Sequence, residues 1–107
     1  MPHDPHYARD HIGDLAPKLA ELTDGLLFDD IWTRPGLSPR ERSLATVSAL
    51  IALNRLEQLP FHLRRAVDNG VTREQLAELI THLAFYGGWP VAFSALAVLR
   101  QLEPSGA

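Results

Sequence analysis

Cysteine is absent from this 107-residue chain. Disulfides, zinc–thiolate sites, thiol nucleophiles and CxxC redox chemistry within the chain are excluded with it. Excess positive charge is missing too. The net charge is −3, with ten Lys and Arg against 13 Asp and Glu, so there is no electrostatic footprint for nucleic acid or an anionic membrane. The opening Met1-Pro2-His3-Asp4-Pro5-His6 lacks the basic-then-apolar order of a signal sequence. The longest apolar run, residues 44–53, is interrupted by Thr46 and Ser48 and is too short to span a bilayer. No segment alternates with period two for long enough to form a strand. These absences predict a soluble, cytoplasmic, all-α protein with neither nucleic acid nor membrane as a partner.

What is present reads as one small domain. Hydrophobic residues make up 46% and charged residues 21%, an ordinary globular balance, and the length allows one modest core. Residues 1–8 read as an arm, 9–102 as the helical domain and 103–107 as a frayed tail. His3, His6 and His11, with Asp4 and Asp10, carry metal-ligating atoms, but a site needs a rigid frame. A loose terminus without metal is the expectation. Ile12, Leu15, Leu19 and Leu22 recur at helical spacing, with Pro17 set to restart the helix there. Asp24-Gly25 is expected to interrupt that stripe, and Arg34-Pro35-Gly36 to break the chain.

Ser38-Pro39-Arg40-Glu41 opens the next helix with a capping-box pattern. From about residue 39 to 54 it is apolar on nearly every face, which predicts burial all round. One subunit this small can hardly provide that, so the pattern implies an oligomer. A helix follows over residues 57–68, with Pro60 in its first turn and Asn69-Gly70 as its stop. Thr72-Arg73-Glu74-Gln75 is a second capping box, opening a helix that directs Leu76, Leu79, Ile80 and Leu83 inward. Gly87-Gly88 ends it, and Pro90 starts the last helix. The count is five or six helices.

Arg42-Ser43-Leu44, His62 followed by Ala66 and Asn69-Gly70-Val71-Thr72, Glu78, and His82 through Tyr86-Gly87-Gly88-Trp89-Pro90 stand in one order. In that order the chain resembles the carboxymuconolactone decarboxylase family, of the alkylhydroperoxidase-D-like superfamily, over roughly residues 31–102. The resemblance implies a helical hairpin fold, homotrimers or homohexamers, and sites in clefts near subunit contacts. One branch decarboxylates 4-carboxymuconolactone in aromatic-acid catabolism without a cofactor. The other reduces peroxides through Cys-x-x-Cys-x-x-x-His. Counted back from His62, its two cysteine positions hold Arg55 and Gln58. A dithiol mechanism needs thiolates to attack and resolve, so the resemblance points to the cysteine-less, decarboxylase-like branch.

Decarboxylating such an acid requires a held carboxylate, a stabilised dienolate and a proton delivered to carbon. His62 is the first candidate for proton transfer, since an ordinary imidazole titrates near neutral pH. The competing reading is a core or interface histidine. Arg42 is the candidate carboxylate clamp, with Arg64 and Arg65 as rivals; an ion pair to Glu41 of another subunit is its alternative. Glu78, His82 and Tyr86 lie at i, i+4 and i+8, sharing one helix face. They are candidate substrate-binding residues or a polar contact surface. Trp89 and Trp32 could wall a pocket or serve as packing anchors. Glu57 could orient His62 or remain a solvated helix-start carboxylate. Set against the lyase are a peroxidase-like member without redox cysteines and a non-catalytic helical oligomer that binds a small molecule.

Overall fold

The structure, a computed structural model, describes residues 4–102, and these form helices and turns with no strand. His3 and residues 103–107 lie outside the described residues. The backbone groups into two compact units, Met1–Pro39 and Arg40–Ala107.

The first unit holds α1 (Tyr7–Ile12), α2 (Pro17–Glu21), a π-helical stretch Leu22–Phe28 and a single 3₁₀ turn Ile31–Thr33. Helix α1 therefore begins inside the segment expected to be an arm. It has no side-chain cap from its own first residue. Instead the Asp24 carboxylate accepts hydrogen bonds from the Ala8 and Arg9 amides, both at 2.9 Å, satisfying donors that a helix start leaves open. Asp24-Gly25 does not interrupt the chain as expected: the helix widens to π geometry and continues through it. The expected inward stripe is also lost. Leu15 is 87% exposed and Leu19 57%, while Ala8, Ala20, Phe28 and Trp32 are buried. The reason is a break in phase. The turn after Ile12 and the restart at Pro17 separate residues whose spacing looks continuous in sequence. Arg34 is extended (ψ 143°), as a residue preceding proline prefers.

The second unit contains α3 (Pro39–Ala52), α4 (Leu59–Asp68), α5 (Arg73–Gly87) and α6 (Trp89–Gln101). Its core joins Val47 and Ile51 of α3, Leu59, Leu63 and Ala66 of α4, Leu76 and Ile80 of α5, and Ala95 and Leu99 of α6. Burying each such aliphatic side chain of Val, Leu or Ile size stabilises the fold by roughly 1.5–3 kcal/mol before entropy is charged. The ends of these helices follow their residues. Asn54 (φ 59°) adopts the left-handed conformation after α3, with Arg55 N–H bonded to the Leu50 carbonyl and Asn54 N–H to that of Ile51. Gly70 (φ 100°) does the same after α4, where Val71 and Gly70 donate to Ala66 and Val67. Both are Schellman closures. Thr72 and Gln75 form the reciprocal capping box expected of them, each bond 3.0 Å.

Helices α5 and α6 make a hairpin with a one-residue joint. Gly88 (φ 104°) ends one helix and starts the other, a conformation that favours glycine. Gly87 has no such need, since a methyl there would meet the Ala52 Cα at an ordinary 3.6 Å. At the other end of the hairpin, Arg73 donates to the Leu102 carbonyl (2.9 Å) and the Arg100 carbonyl (3.3 Å), closing off the last turn of α6. Within the single chain, Ala45, Ala49 and Ala52 of α3 are exposed and Leu44 and Leu50 half-buried.

Candidate active site

Helix α4 is where core and polar chemistry meet. Leu59, Leu63 and Ala66 recur at i, i+4 and i+7 and are fully buried. His62, Arg65 and Asn69 lie at i, i+3 and i+7, along one flank of that stripe. His62 is half-buried rather than sealed, with its ring edge-on to Phe61 (centroids 4.9 Å apart, planes at 79°). Arg65 is 8% exposed, and it and the fully buried Ser43 are the buried polar or charged residues of the described chain. Asn69 Nδ2 donates to Ser43 Oγ at 3.0 Å, tying the end of α4 to the first turns of α3.

Burial, and then the positive charge of Arg65, hold the His62 imidazole down at about 4. An uncharged ring is the cheaper occupant of such a place. The imidazole expected to titrate near neutral pH is therefore a neutral group at pH 7, able to donate through one nitrogen and accept through the other. Burial pulls the Arg65 guanidinium down as well, and Asp68 partly offsets this; arginine retains its charge across the working pH range.

The other expected residues fall into separate sets. Arg42 is half-buried in the first turns of α3, next in sequence to Ser43, and its carbonyl accepts from Thr46 Oγ1 at 2.8 Å. Glu78, His82 and Tyr86 are all exposed on α5. The His82 and Tyr86 rings approach to 5.0 Å at 40°. Trp89 is half-exposed and meets Phe85 edge-on at 5.0 Å. Glu57 and Arg64 face solvent. Trp32 is buried in the first unit and stacked on Phe28 (6.1 Å), which is the packing-anchor reading. Of the terminal histidines, His11 stacks on Tyr7 at 4.0 Å and no metal-holding cluster occurs among the described residues.

Sequence reasoning ranked Arg65 too low and did not single out the Ser43–Asn69 link. The phase of α4 does not separate the two arginines: Arg64 and Arg65 lie on opposite sides of the stripe set by Leu59, Leu63 and Ala66, each about 130° from its middle, and it is the packing of the helix that buries Arg65 and leaves Arg64 exposed. Two clefts open elsewhere. One, about 350 Å³, is lined by Arg73, Glu74, Ala77, Leu96, Leu99 and Arg100. The other, about 390 Å³, lies in the first unit and includes His6, Arg9 and Asp24.

A profile of the Carboxymuconolactone decarboxylase family matches residues 17–101, most of the chain. The chain belongs to that family. Among its relatives, 4-carboxymuconolactone decarboxylase of Acinetobacter baylyi is 33% identical over 93 residues, covering 87% of this chain and 69% of the relative. Nitrosuccinic acid decarboxylase npaB of Metarhizium robertsii is 35% identical over 81 residues, covering 76% of this chain but 57% of the relative. An uncharacterized 15.0 kDa protein encoded between nqo9 and nqo10 in Paracoccus denitrificans is 26% identical over 99 residues, covering 91% and 74% of the two chains. The chain thus spans between about half and three quarters of the length of these relatives. No helix among its described residues is long and apolar enough to cross a membrane.

Proposed function

We propose that the protein is a cofactor-free carboxy-lyase acting on a small lactone acid, keto acid or similarly activated carboxylate. The observation that carries this reading is a half-buried imidazole, His62, one helical turn from a buried guanidinium, Arg65. Two relatives named as decarboxylases support it. In such a reaction the C–CO₂ bond breaks, its electron pair enters the substrate's own conjugated system, and a proton is then added at carbon. A cation holds the carboxylate, and a preorganised polar group steadies the enolate oxygen. His62 is assigned the proton transfer, with Arg42 as a carboxylate clamp and Glu78, His82, Tyr86 and Trp89 as further substrate contacts. The absence of cysteine weighs against the peroxidase alternative.

The working form in this proposal is a homotrimer or homohexamer in the cytoplasm, serving aromatic-compound catabolism. Large apolar side chains left in water support self-association: Leu53, Phe85, Tyr86, Trp89 and Phe93 are all more than half exposed, a larger apolar display than a monomer of this size usually tolerates.

The test is an ultraviolet assay of the purified protein with 4-carboxymuconolactone and, separately, with nitrosuccinate, following loss of substrate and release of CO₂. Turnover of either is expected, and His62→Ala should abolish it while the helical circular-dichroism spectrum and the oligomer persist. Wild-type turnover unchanged by His62→Ala would remove His62 from the mechanism. No turnover of either acid by a well-folded oligomer would shift the balance to the small-molecule-binding alternative.

A further inference from the structure

The cleft of about 350 Å³ formed by α5 and α6 takes in none of the residues assigned to the lyase. It lies at the open end of the hairpin, away from the Gly88 joint. Its volume falls at the lower end of what ligand sites occupy, roughly 300–1,000 Å³. Part of the lining is apolar: Ala77 from α5, with Leu96 and Leu99 from α6. Leu99 is buried and Leu96 exposed, so this apolar wall runs from the core out to the surface. Ala77 is half-buried, and its single side-chain carbon leaves space that a leucine there would fill. The rest of the lining is charged: Arg73, Glu74 and Arg100. Arg73 is held in place, because its two terminal nitrogens donate to the carbonyls of Leu102 and Arg100; the remainder of its N–H fork is left over. Glu74 and Arg100 are exposed, and neither forms an ion pair among the described residues. Both signs of charge thus line one small space without neutralising each other there.

We propose that this cleft binds a free α-amino acid with an apolar side chain. The carboxylate pairs with the guanidinium groups of Arg73 and Arg100, whose planar forks suit it. The ammonium pairs with the Glu74 carboxylate. The side chain lies on Ala77, Leu96 and Leu99, where covering apolar surface adds to the binding. Selectivity comes as much from repulsion as from attraction. A simple carboxylic acid meets Glu74 as a like charge and leaves it unanswered. A simple amine meets two arginines. The zwitterion satisfies both signs, and its apolar side chain separates it from glycine. The proposal needs nothing of the lyase reading and stands whether or not the chain decarboxylates an acid.

The experiment is a nuclear magnetic resonance titration of the full chain, labelled at alanine and leucine methyl groups. The probes are leucine, 4-methylpentanoate, which lacks the ammonium, and 3-methylbutylamine, which lacks the carboxylate. Leucine is expected to shift the methyl signals of Ala77, Leu96 and Leu99 saturably, and the other two to bind about fivefold more weakly or worse. Arg100→Gln and Glu74→Gln, both at exposed positions that do not endanger the fold, should each weaken leucine by a similar factor. Glu74→Gln should also abolish the preference for leucine over 4-methylpentanoate. Ala77→Leu fills the cleft and should remove binding while the helical circular-dichroism spectrum persists. No saturable shift with leucine overturns the proposal. So does wild-type binding of 4-methylpentanoate or 3-methylbutylamine as tight as that of leucine, and so does leucine binding unmoved by both Arg100→Gln and Glu74→Gln.

Discussion

His62 shows how a residue's neighbours change its chemistry. An isolated imidazole shares its time between two charge states near neutrality; this one is held neutral by burial and by Arg65. The consequence for stability has a definite sign. Between about pH 6.5 and 4 the unfolded chain binds a proton at this position that the folded chain refuses, so His62 lowers stability progressively as pH falls through that window and adds no further loss below it. Urea midpoints measured across the window should fall more steeply for wild type than for His62→Gln, whose neutral side chain does not titrate. Parallel curves would mean that the ring is solvated. The position of His62 was legible in the sequence because the family's motifs flank it. Its charge state was not, because that depends on how deeply α4 sinks and on which of the adjacent Arg64 and Arg65 turns inward.

At the level of elements, the helices of the second unit were read with most success where local residues dictate local geometry. The Thr72–Gln75 capping box and the Asn69-Gly70 stop are decided within a few residues. The left-handed Gly70 gives a prediction. Gly70→Ala should destabilise the protein by about 1 kcal/mol or slightly more, measured by chemical denaturation, because open space around the position leaves backbone strain as the only cost. A neutral outcome would mean that the turn relaxes. The first unit was harder to read. Its apparent stripe of Ile12, Leu15, Leu19 and Leu22 has helical spacing across a segment that is two helices, and no local residue announces the π-helical continuation after Glu21. Periodicity presumes one unbroken axis, and here the axis changes twice.

For the molecule as a whole, α3 was expected to need other subunits to cover it, and within one chain it leaves an alanine-lined face exposed. The largest exposed side chains, Phe85, Tyr86, Trp89 and Phe93, lie around the α5–α6 joint. If copies associate there, Phe93→Asp should lower the mass seen by sedimentation equilibrium to that of a smaller species, and an unchanged mass would place the interface elsewhere. The Asp24 carboxylate, bonded to amides of Ala8 and Arg9 that precede it by some fifteen residues, bears on the order of events during synthesis. A six-residue helix has little stability of its own. Residues 7–12 therefore leave the ribosome before the group that secures them, and α1 becomes a settled helix only after the segment behind it has emerged and turned back. In this part of the chain, the order of synthesis and the order of folding run in opposite directions.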